Sequence, residues 1–285
     1  VIARLLCAFA LLAAGAASAA EPPLAGGIPD VVGPRALALS ASTGIAAGNE
    51  GLFVNPAAVA ARRRYSVEAG IYVDRRGADT VGQLWGGSVV DSITSPVAGA
   101  VSWLRATEGA YTGSVWEGAF AGAIATGLYL GVAGKYLKLD GPRNTSAATV
   151  DAGLFWQAAE YVSVGAAGYN LVSIANEAVA PKGVAAGVGV GNDRTFQLTA
   201  DWRADFDRAA ETTNRFSAGA EVLLGQLVPV RAGWMKDETL GGSWWSIGVG
   251  LVTRSGVALD VGYRQSLDDP SARTIAGTMK LFLLQ

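Results

Sequence analysis

The chain has 285 residues, 51% hydrophobic and 16% charged, with a formal net charge of −2, one cysteine and no histidine. Without histidine the commonest general base and metal ligand are missing, along with every Ser-His or Cys-His arrangement, so no enzyme activity, metal or cofactor is expected. The balanced charge leaves no electrostatic footprint for nucleic acid, and beyond residue 20 no apolar run reaches the roughly 18 residues of a spanning helix.

Residues 1–20 read as a cleaved secretory signal: Arg4 precedes the apolar stretch Leu5 to Ala14, which is followed by the small residues Ala17, Ser18, Ala19 and Ala20. The one cysteine, Cys7, lies inside it, so cleavage leaves a mature chain without a thiol. A secreted, hydrophobic chain with no spanning helix either is soluble or closes its backbone hydrogen bonds as a barrel. Residues 21–64 are rich in Pro and Gly at first and do not alternate. They read as a compact hatch or plug in which one short helix starts at Pro56 and is capped by Asn55.

From residue 65 onward apolar residues alternate with polar or tiny ones. In Phe196-Gln197-Leu198-Thr199-Ala200-Asp201-Trp202-Arg203 one face carries Phe, Leu, Ala and Trp and the other Gln, Thr, Asp and Arg. Period two is the strand signature, because successive side chains point to opposite faces. Punctuated at Gly, Pro, Asp and Asn, the pattern gives fourteen segments: 65–73, 81–90, 97–106, 114–124, 127–138, 148–157, 161–170, 183–191, 194–203, 214–223, 228–236, 243–252, 256–264 and 273–283. Each is close to the roughly 9–11 residues of a tilted spanning strand. The expected fold is all-β: a transmembrane antiparallel β-barrel of about 14 strands (12–14) over residues 65–285. Connections after odd-numbered segments, such as 74–80, 107–113 and 171–182, are longer than most of those after even-numbered ones, such as 125–126 and 192–193. That asymmetry puts the N-terminal segment in the periplasm and the longer loops outside.

Aromatic residues are expected at the two interfaces of the bilayer. Trp103, Trp116, Trp202, Trp234, Trp244 and Trp245 fall toward outer strand ends, and Tyr65, Trp156 and Tyr161 toward inner ends. A charge on the lipid face near the midplane costs about 2–4 kcal/mol, so Glu68, Glu117, Lys135, Asp151, Asp201, Glu221, Arg231 and Asp260 are expected to face the lumen. Their same-face neighbours, including Gly70, Ala119, Ala133, Gly153, Gly219, Gly233 and Gly262, are small and leave room for something inside. Gly187-Val188-Gly189-Val190-Gly191 reads as strand rather than as a dinucleotide loop, for no helix follows it.

The order "RALALSAS…GNEGLFVNPAAVA" immediately before the barrel resembles the N-terminus of the FadL/PorV-type outer-membrane superfamily. Arg35, Ala36 and Leu37 match its first element, and Asn55, Pro56 and Ala57 its second. The resemblance implies a fourteen-stranded barrel in a Gram-negative outer membrane, with the N-terminal segment entering the lumen as a hatch. Two functions follow from it. The first is passive passage of small hydrophobic compounds. The alternative is a non-transporting scaffold of an envelope-spanning secretion or motility complex. The expected partners are accordingly outer-membrane lipid and either a hydrophobic small molecule or envelope proteins.

Overall fold

A computed structural model describes residues 33–284 except 41, 143, 176, 178 and 208–210, so the signal segment 1–20 and the start of the hatch segment lie outside the described residues. All fourteen expected strands form. They are β1 (Tyr65–Arg76), β2 (Asp79–Asp91), β3 (Ala98–Glu108), β4 (Tyr111–Ala125), β5 (Leu128–Asp140), β6 (Thr145–Ala159), β7 (Val162–Tyr169), β8 (Gly183–Gly191), β9 (Phe196–Asp205), β10 (Thr213–Leu224), β11 (Val228–Asp237), β12 (Gly242–Val252), β13 (Val257–Ser266) and β14 (Ala272–Leu284). Every strand pairs antiparallel with its neighbours in sequence, and β1 pairs with β14, so the sheet closes and has no edge. Closure satisfies the backbone groups that hydrocarbon would otherwise leave unbonded.

Alternation decides which face meets which solvent. Val101, Phe120, Leu130, Val132, Leu154, Leu198, Val249 and Val261 point outward and are each 40–67% exposed. A contiguous band of this kind on a closed barrel fits bilayer hydrocarbon rather than water, since leaving one such side chain wet forfeits about 1.5–3 kcal/mol. Aromatic residues flank the band. Trp103, Trp116, Trp156, Tyr161, Trp202 and Trp234 are exposed, and Tyr65 and Trp245 are half-buried. Trp244 is a correction. It is 4% exposed and lies inside the wall, because adjacent strand residues cannot share a face and Trp245 takes the outer one.

The outer connections are shorter than alternation suggests. Residues 77–78 and 109–110 are the whole of the β1–β2 and β3–β4 turns, and only 170–182 and 206–212 are long. Strand pairing continues through Asp74, Arg75 and Arg76 opposite Thr274, Arg273 and Ala272, where the residues turn polar and the apolar period fades.

The N-terminal segment also departs from the single-helix expectation. Two six-residue helices, α1 (Pro34–Leu39) and α2 (Asn49–Val54), precede Pro56, and the element at Pro56–Val59 is a 3-10 turn rather than an α-helix. Asn55 does cap it, accepting from the Ala57 amide at 3.2 Å. Helices this short are marginal in isolation, so the wall around them must hold them.

Candidate functional site: a hatch across the lumen

The described residues between 33 and 59 lie inside the barrel. Leu37, Ala38, Leu39, Asn49, Leu52 and Asn55 are fully buried. The small inward residues of the wall therefore leave room for the hatch itself. A Cβ on Gly233 would stand 2.5 Å from the Leu39 carbonyl carbon, and one on Gly262 2.5 Å from the Pro34 carbonyl oxygen. On the opposite side a Cβ on Gly153 would collide with the Asn55 side chain and Pro56. In this way β10–β13 cradle α1 and β5–β6 cradle the 3-10 turn.

Polar bonds fix the hatch at intervals along its length. Arg35 Nη1 donates to Glu50 at 2.7 Å, Nε to Glu221 at 3.1 Å and Nη2 to Gln197 at 2.9 Å. Arg231 bonds both Glu221 and Asp260, extending the network across three wall strands. Asp201 accepts from the amides of Ser42 and Thr43 at 2.8 and 2.6 Å. Ser163 donates to the Gly44 carbonyl at 2.6 Å, and Tyr169 to the Val54 carbonyl at 2.6 Å. Asn55 Nδ2 donates to the Leu154 carbonyl at 3.0 Å. Ser246 donates to the Ala38 carbonyl at 2.8 Å and also meets the Ser40 hydroxyl at 2.8 Å.

The eight acidic and basic residues singled out by alternation thus divide between hatch and wall. Glu221, Arg231, Asp260 and Asp201 form or support the hatch contacts. Glu68 pairs with Lys280 at 2.7 Å near β1, beside the hatch. Lys135 bonds Asp151, and Glu117 lies opposite Lys135 in the β4–β5 register, 5% exposed and with Oε1 lacking a hydrogen bond. Of the motif residues, Arg35 carries the ion network and Asn55 and Ala57 the cap. Ala36, Leu37 and Pro56 are buried packing. Glu50, Gln197, Tyr169 and Lys280 escaped the sequence reading, although the last three share inward parity with charged neighbours that it did select.

Above the hatch the lumen has two unlike sides. Tyr72, Leu84, Leu104, Val115, Leu137 and Leu139 of β1–β5 face inward and form one continuous apolar cluster with Ile174 and Val179 of the 170–182 connection and with Leu52 and Phe53 of α2. A void of about 30 Å³ lies where this track meets Phe53, between Tyr72, Leu84 and Gly70. Across the lumen run charged pairs: Arg203 with Asp205 at 2.9 Å and Arg215 with Asp237 at 2.6 Å. Arg264 lies beyond them, 5.3 Å from the Trp244 ring centre. Asp237, the last residue of β11, is buried in that pairing. Below the hatch, at the end where β1 begins, a cavity of about 240 Å³ is lined by Arg35, Glu50, Arg62, Arg64, Asp260 and Phe282 among others.

No protein-family model matches the chain, and no curated protein matches it in sequence. Solved structures do match in fold. The Ralstonia pickettii toluene transporter TbuX superposes with a TM-score of 0.63 at 12% identity, over 89% of this chain and 98% of that one. The CymD monoaromatic hydrocarbon channel gives 0.64 at 14% identity, over 91% and 97%. A Pseudomonas aeruginosa FadL homologue gives 0.64 at 12% identity, over 90% and 99%. With a closed fourteen-stranded wall and an N-terminal segment folded into its lumen, this chain has the FadL-type barrel fold.

Proposed function

We propose that this protein is an outer-membrane channel for passive passage of small hydrophobic compounds, closed in the described state by the segment 33–64 and opened when that segment shifts. The observation that carries the reading is the continuous apolar track from the 170–182 connection down β1–β5 to Leu52 and Phe53. A polar solute entering it would lose hydration without compensating hydrogen bonds, whereas an apolar one gains about 25 cal/mol per Å² removed from water. Besides its apolar packing, the hatch at the end of the track is held by polar bonds to backbone and carboxylates, contacts that water can replace as the segment moves. Fold neighbours described as a toluene transporter and a monoaromatic hydrocarbon channel support the same cargo class. No step is catalytic, and the gradient of the compound supplies the drive. By the same reading residues 1–20 direct export, and both barrel termini face the periplasm.

The test is influx of a small aromatic hydrocarbon into liposomes containing the folded protein. Faster entry than into protein-free liposomes is expected, and equal entry with the barrel intact would refute the proposal.

A further inference from the structure

We propose that the lipid-facing rim formed by β14 and β1 holds the phosphorylated headgroup of an outer-leaflet lipid, with Arg75 and Arg273 as its principal ligands. The inference does not depend on what passes through the lumen. It uses only the orientation in which the β1–β2 turn lies at the outer end.

Arg75 and Arg273 are direct cross-strand partners in the β1–β14 register. Their immediate neighbours Asp74 and Thr274 bond each other inside the wall, so parity sends both arginines to the outer face. Two like charges directly opposite in an antiparallel pair repel. Here no carboxylate among the described residues offsets them. The one ion pair nearby, Arg76 with Asp269 at 3.3 Å, is made by a different guanidinium. Each arginine is steadied instead by a carbonyl of the turn. Arg273 donates to Gly77 at 2.9 Å and Arg75 to Ala78, while the Nε–H of both has no acceptor.

Register places the pair at and beyond the girdle. On β1 the residue opposite Trp85 is Ile71, four positions inward of Arg75, and Trp103 pairs through Gly87 with Ala69. Girdle tryptophans sit at headgroup level, so the arginines, further out on β1 and β14, meet the outer part of the headgroup layer rather than acyl chains. A third cation, Arg105, faces outward opposite Trp85, whose ring packs edge-on to Trp103 at 5.2 Å. Two adjacent guanidiniums with no carboxylate partner, outside the girdle indoles, match a phosphate monoester. Its oxygens accept several charge-assisted hydrogen bonds at once.

Native mass spectrometry of the detergent-solubilised full barrel tests this, with bis-phosphorylated lipid A as probe and phosphatidylethanolamine and inorganic phosphate as comparators. The parent protein should retain lipid A in preference to phosphatidylethanolamine, and millimolar inorganic phosphate should not displace it. The variant R75Q/R273Q should lose roughly thirtyfold in retention, at about fivefold per cation near a charged lipid surface. The single change R273Q, expected to cost roughly fivefold, serves if the double variant lacks the heat-sensitive gel mobility of a folded barrel. Undiminished retention by folded variants, equal retention of phosphatidylethanolamine, or displacement by free phosphate would each overturn the assignment.

Discussion

Arg35 draws α1, α2 and the wall together through one guanidinium, touching Glu50, Glu221 and Gln197. Glu221 keeps Arg231 if Arg35 is removed, but Glu50 has no second cation among its described bonds. The change Arg35→Met should therefore loosen the hatch while sparing the barrel. Loss of one partner from a buried pair costs about 3–5 kcal/mol. Hydrogen exchange should show residues 34–39 and 49–54 exchanging faster, with the strand amides unchanged. Equal acceleration in the strands would contradict a role confined to the hatch. Asn55→Ala removes both a cap and a bond to the wall, worth about 1–3 kcal/mol together, and should expose the 3-10 turn in the same assay. Trp244 and Trp245 show what one sequence position decides. Brominated lipid should quench Trp245 fluorescence and leave Trp244 unaffected in single-tryptophan variants.

At the scale of elements, the strands were legible and the helices were not, for physical reasons. A strand in a bilayer wall must alternate, because lipid and lumen demand opposite chemistry of neighbouring residues, as in Phe196 to Arg203. Helices α1 and α2 are a single stretch of six residues each, with Gly33 and Gly48 at N-cap positions that provide no side-chain cap. They carry no local signal because the wall supplies their stability. Asn55 was legible because its cap is local. The outer strand ends were read as loop because Asp74, Arg75 and Arg76 pair beyond the hydrocarbon layer, where nothing requires apolar residues. The lumen charges were found by elimination, but Glu50, inside the hatch, had no such rule to reveal it. The wall glycines give a direct test of the cradle. Gly233→Val suits a strand but thrusts a side chain into Leu39, so α1 should be displaced while the barrel still closes. Trypsin should then cut after Arg35 in the variant and spare the parent. Identical digestion patterns would mean that the glycine is not what seats the helix.

Across the whole molecule, an apolar exterior and a divided lumen give one barrel two kinds of apolar surface, one facing lipid and one that the proposed function assigns to cargo. Val132 belongs to the first, 49% exposed on the wall. Val132→Arg should lower folding stability in bilayers by about 2–4 kcal/mol, read from the denaturant midpoint of refolding into vesicles. The same change at an outer rim position such as Thr107 should cost under about 1 kcal/mol. The central claim concerns the second surface, for the apolar track leads nowhere unless the hatch moves. Ser40 on the hatch and Ser246 on β12 touch through their hydroxyls at 2.8 Å. S40C/S246C, made in a chain whose one native cysteine, Cys7, is replaced by serine, places two thiols at this contact. Aromatic-hydrocarbon influx into liposomes should stop when the cross-link is oxidised and return to the parent rate on reduction. Influx that continues undiminished through the oxidised, cross-linked barrel would contradict the account, because cargo would then be crossing without displacement of the segment that fills the lumen.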